Sequence, residues 1–77
     1  MKKYTTKDFY IAVSLVAAGF RPSLERLDHK SFNFVFENED GKVTEAVQKH
    51  WDGALFVSST KMVQAMNELK TRIYEGV

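Results

Sequence analysis

The stretch Ser31-Phe32-Asn33-Phe34-Val35-Phe36-Glu37 constrains this chain more than any other, because it sets three phenylalanines on one face of a strand at a period of two. A face that apolar must be covered, and a hairpin alone is marginal in water, so the rest of the chain has to supply a packing layer. Upstream, Ser23-Leu24-Glu25-Arg26-Leu27 supplies the preceding strand. Its leucines recur at a spacing of three, which a regular strand cannot place on one face, so a bulge or twist near Glu25 is expected. Asp28-His29-Lys30 reads as the turn between the two.

Helices flank this hairpin in sequence. Thr5 or Thr6 can cap a helix whose first turn carries Asp8, where the helix dipole favours negative charge. Phe9, Val13, Val16, Ala17 and Phe20 then follow at helical spacing, and Tyr10, Ile11, Leu15 and Ala18 widen the stripe until little polar surface remains. This helix is expected to be mostly buried, with Gly19 as a left-handed C-terminal residue and Phe20 making the contact that accompanies such a cap. Pro22 prevents continuation.

After the acidic stretch Asn38-Glu39-Asp40-Gly41, the residues Val43, Ala46, Val47, His50 and Trp51 predict a short second helix, ended by Asp52-Gly53. Ala54-Leu55-Phe56-Val57 reads as a third strand. Ser58 or Ser59 caps a last helix with Met62, Val63, Met66, Leu69 and Ile73 as its apolar stripe. The expected fold is a single α+β domain spanning residues 1–77, with a small three-stranded sheet, the element order α-β-β-α-β-α, and the helices packed on one face.

Charge and composition narrow the chemistry. Eleven basic against ten acidic residues leave a net charge of +1, so the chain as a whole has no polyanion-binding character. Without cysteine there is no disulfide, thiolate zinc site, iron–sulfur cluster or cysteine nucleophile. No histidine pair or carboxylate cluster has metal-ligand spacing, and the glycines at 19, 41, 53 and 76 match neither a phosphate loop nor a dinucleotide fingerprint. Neither a cofactor nor a metal is expected. Residues 11–20 are about half the length needed to span a bilayer. Lys2, Lys3 and Lys7 before that stretch superficially resemble a secretory leader, but Asp8 interrupts it and its removal would take much of the core, so a cytoplasmic protein is expected.

Three functional readings survive, and a non-enzymatic protein-interaction module leads. Ten aromatics in 77 residues are more than one small core readily hides, and Tyr4, Val35, Phe56 and Tyr74 fall off the main stripes, where they could form a homodimer interface or a partner patch. The second is a nucleic-acid-binding accessory protein, using Arg21, Arg26 and Lys30 on the hairpin with Lys70 and Arg72 on the last helix; acidic Glu25, Asp28 and Glu68 interleave with them. Phe32, Phe34 and Phe36 lack the basic glycine-containing strand motif of base-stacking sheets, and core packing is the expectation for them. An enzyme ranks third and would need a polar pocket around His50 and Asp52; His29 falls in a turn, and Ser58, Ser59 and Thr60 stand where a helix cap belongs.

The blocks Thr-Thr-Lys-Asp-Phe-Tyr-Ile-Ala from Thr5, Ala-Gly-Phe at 18–20, Phe-x-Phe-Val-Phe-Glu at 32–37, Trp-x-Gly at 51–53 and the closing Leu-Lys-Thr-Arg-Ile-Tyr resemble an uncharacterised family of short bacterial and phage proteins, a domain of unknown function. The resemblance spans nearly the whole chain through packing and capping signatures. It implies the same fold order and a bacterial or mobile-element setting, and it carries over no catalytic residue.

Overall fold

The computed structural model describes residues 2–28 and 31–75, so the expected turn residues His29 and Lys30 lie outside the described residues. The elements run β1 (Lys3–Thr6), α1 (Phe9–Ala17), β2 (Pro22–Arg26), β3 (Phe32–Glu37), α2 (Lys42–Trp51) and α3 (Ser59–Glu75). The protein is α+β, with three helices and a three-stranded antiparallel sheet ordered β1-β3-β2. Both outer strands oppose β3, so β1 and β2 run parallel to each other and α1 is the crossover between them.

The third strand is not where its alternation placed it. Residues 54–58 form no strand, and the third place in the sheet belongs to Lys3–Thr6, so the observed order is β-α-β-β-α-α. The segment 54–57 does alternate, with Leu55 and Val57 half-buried and Phe56 outward, but its backbone joins no ladder. On β3, the positions that segment would have needed are filled by β1 on one side and β2 on the other. Nor does Thr5 or Thr6 cap α1. Asp8 does so, its Oδ1 accepting the Tyr10 and Ile11 N–H groups at 2.9 and 3.2 Å, while Thr6 Oγ1 accepts the Asp8 N–H at 3.0 Å and closes the strand.

Cross-strand register sorts the sheet into two faces. Tyr4, Thr6, Pro22, Leu24, Arg26, Phe32, Phe34 and Phe36 share one, with Phe34 and Phe36 fully buried and Arg26 exposed at its end. Lys3, Thr5, Ser23, Glu25, Asn33, Val35 and Glu37 share the other, which is polar apart from Val35. The β2–β3 ladder is regular from Pro22 to Arg26, so the expected bulge at Glu25 is absent: Leu24 points inward and Leu27, past the strand end, is half exposed. All three helices lie in one layer over the phenylalanine face, and the molecule's extents of 34 × 31 × 16 Å fit two layers. Phe9 from α1 tilts against Phe34 with ring centroids 6.4 Å apart.

Within the helical layer α1 is central, packed beside both α3 and α2. Every residue from Ile11 to Ala17 is buried, Ser14 included. It ends as its sequence indicates: Gly19 takes φ 107°, its N–H donates to the Val16 carbonyl, and the Phe20 N–H donates to the Leu15 carbonyl, a Schellman cap. Gly53 repeats the motif after α2, with φ 71° and its N–H on the His50 carbonyl, while the Ala54 N–H reaches the Lys49 carbonyl at 2.8 Å. The start of α2 is organised by Asn38, which is buried. Its Oδ1 accepts the Val43 and Thr44 N–H groups and its Nδ2 donates to Thr44 Oγ1 at 2.6 Å, so a side chain at the end of β3 satisfies free amides of the next helix. Ser58 caps α3 as expected, its Oγ accepting the Lys61 N–H at 3.1 Å.

Candidate interaction surface

The four residues expected to share an interface are dispersed by the fold. Tyr4 is half-buried and packs against the core, so it offers little free surface. Val35 lies on the opposite, open face of the sheet. Phe56 precedes α3 and Tyr74 sits in its last turn, so the two are separated by most of a helix roughly 25 Å long. Phe56 and Tyr74 are nonetheless 88% and 84% exposed. They cannot belong to one small patch.

Helical spacing groups Trp51 with Val43, Ala46 and Val47, and the structure turns it outward, 65% exposed. It is the last residue of the helix, where no neighbouring element continues to cover it, whereas Val43 and Ala46 of the same helix are buried. The His50 ring stands edge-on to the Trp51 indole, centroids 5.2 Å apart at 84°. Phe56 lies in the connection that follows Gly53. The end of α2 and the α2–α3 connection therefore present a tryptophan and a phenylalanine to solvent, stiffened by the Schellman turn between them. The exposure of Trp51 was legible in the Asp52-Gly53 stop signal, which ends the helix directly after it.

The basic residues are mostly engaged within the molecule. Arg21 Nη1 meets Glu68 Oε2 at 2.8 Å, Arg26 Nη1 donates to the Asp28 carbonyl at 2.9 Å, and Arg72 Nη1 donates to the Pro22 carbonyl at 3.0 Å. Lys70 is exposed on α3. Arg21 and Arg72 thereby tie the start of β2 to α3, whereas Arg26 bonds within the hairpin.

Two shallow clefts accompany this arrangement. One of about 230 Å³ lies between the C-terminal end of α1 and α3, over Val16 and Ala65, and the Arg21–Glu68 pair sits at its rim. The other, about 250 Å³, lies over Phe20, Ala46 and Leu55 beside the ion-paired Glu45 and Lys49. The Asp52 carboxylate accepts from Gln48 Nε2 at 3.2 Å. Among the described residues no group of three or more histidines and carboxylates is placed to hold a metal ion, and no helix is long and apolar enough to cross a membrane. No protein-family model matches the chain, and no match is found among the curated proteins or the solved structures.

Proposed function

We propose that this chain is a small non-enzymatic protein-interaction module that associates with itself, in the bacterial or phage setting of the family its sequence resembles. The observation that carries the reading is the pair Trp51 and Phe56, two large aromatics held out from the end of α2 and the following turn in a domain that buries its other phenylalanines wholly or in part. Aromatic side chains on a rigid support lose little conformational entropy on binding and are enriched at contact centres. The nucleic-acid reading is weaker, because Arg21, Arg26 and Arg72 would each give up an internal bond to reach a phosphate.

Sedimentation equilibrium at two protein concentrations tests the proposal. The expected result is a mass that rises with concentration in the parent chain and stays monomeric in Trp51→Ser/Phe56→Ser, with the urea midpoint nearly unchanged. A parent chain that stays monomeric to millimolar concentration overturns self-association. Salt-dependent amide shifts at residues 21, 26, 70 and 72 on adding an oligonucleotide would replace it with the nucleic-acid reading.

A further inference from the structure

Hydrogen-bond phase reveals an asymmetry between the two edges of the sheet. The Asn38 N–H donates to the Lys2 carbonyl at 3.1 Å, which makes this a bonded pair of the β1–β3 ladder. Bonded and non-bonded pairs alternate in an antiparallel ladder, so Tyr4 and Thr6 face β3 while Lys3 and Thr5 direct both N–H and C=O away from the sheet. On the far side, the Leu27 N–H donates to the Ser31 carbonyl, which by the same alternation turns Pro22, Leu24 and Arg26 outward. That edge is obstructed: Pro22 has no N–H and its carbonyl is already taken by Arg72. The β1 edge has neither proline nor bulge, and Tyr4, Thr5 and Thr6 are good strand formers.

Charge decides what fits there. Lys2, Lys3 and Lys7 sit on or beside this four-residue strand, and all are exposed. Lys3 approaches Glu37 at 3.8 Å across the ladder, both side chains well solvated, and the Asp8 carboxylate is committed to the α1 cap. A second copy pairing here would bring two sets of lysines together, the arrangement that protects natural edges from self-pairing. An extended segment carrying carboxylates meets the opposite situation. We propose that the open edge of β1 is a strand-addition site for an extended acidic peptide segment of another protein. The backbone groups of Lys3 and Thr5 supply the ladder, and the lysines select acidic residues flanking a short β-branched or hydroxyl-bearing centre. This surface is separate from the Trp51–Phe56 surface and does not depend on it.

The test is an amide-resolved NMR and hydrogen-exchange titration of the full chain with two peptides, Glu-Glu-Thr-Val-Thr-Glu-Glu and Lys-Lys-Thr-Val-Thr-Lys-Lys. The acidic peptide is expected to protect the Lys3 and Thr5 amides, and the lysine peptide to leave them exchanging as before. Thr5→Pro removes an outward N–H without touching the β1–β3 bonds and should abolish that protection. Replacing Lys2, Lys3 and Lys7 by Gln leaves every backbone group in place and should weaken binding by about tenfold. The serine variant at Trp51 and Phe56 should bind the acidic peptide unchanged, which keeps this outcome distinct from that of the self-association test. Equal binding of both peptides, unaltered binding by the lysine-to-glutamine variant, or protection of Lys3 and Thr5 that grows with protein concentration alone would each overturn the proposal, the last by assigning the edge to a second copy.

Discussion

Helices α1 and α3 lie side by side and are built on opposite principles. The nine residues of α1 include seven consecutive buried ones, whereas the seventeen of α3 include two, Ala65 and Leu69. Central position, not length, makes α1 the scaffold: the sheet lies beneath it and α2 and α3 stand on its flanks, so seven consecutive residues are enclosed and only its first turn, at Tyr10, opens widely to water. Helix α3 meets its neighbours along one stripe of Met62, Ala65, Met66, Leu69 and Ile73 and leaves Val63, Asn67, Lys70 and Tyr74 in water. The contrast teaches where this domain can vary. Side chains of α1 from Ile11 to Ala17 answer to packing, while most of α3 answers to nothing but solvent and whatever else it meets.

The largest effect should come from truncating the shared core. Leu15→Ala in α1 is expected to cost about 2 to 5 kcal/mol, enough to unfold much of so small a domain, and Leu69→Ala, at the larger of the two buried side chains of α3, should fall in the same range by urea denaturation. An effect at Leu69 below about 1 kcal/mol would mean that α3 merely rests on the core. Enlargement sharpens the contrast further. Ala12→Leu, in a position without exposed surface, should lose about 1 to 3 kcal/mol through overpacking, and Asn67→Leu on the bare side of α3 should shift stability by no more than about 0.5 kcal/mol.

Next come the helix ends. Gly19→Ala forces a Cβ into φ 107°; the space around it is open, so the expected cost of about 1 to 2 kcal/mol is conformational and should lower the melting temperature without disturbing the core amides. Ser58→Ala removes the α3 cap at about 1 kcal/mol, visible as faster exchange at the Lys61 amide. Tyr74→Ser should be smallest of all, within about 0.5 kcal/mol, and a larger loss would show that the last turn of α3 touches more than its exposure indicates.

What could be read in advance follows from how local each signal is. Gly19 and Phe20 announce their cap because the motif is contained within six residues, and the period-two phenylalanines announce a buried face wherever the strand pairs. The same reasoning misreads residues 54–57, since alternation tells which side chains point inward and not whether the backbone finds a ladder. Strand β1 carries no such signal, because four residues are too few to establish a period and threonines before an aspartate equally suit a helix start. The candidate surface was legible only in part. Phe56 and Tyr74 stand out as expected and the Asp52-Gly53 stop marks Trp51 as the last residue of α2, yet the Arg72–Pro22 and Arg21–Glu68 contacts join positions 50 and 47 residues apart, beyond any local pattern.

Those separations also set a timetable for synthesis. Helix α1 leaves the ribosome well before α3 can close over it; at about 5 to 20 residues per second, a gap of some fifty residues leaves the nascent chain's most apolar segment uncovered for roughly 3 to 10 seconds. Translation pauses downstream of α2 would lengthen that window, so the yield of intact protein should depend on how fast the last helix is delivered.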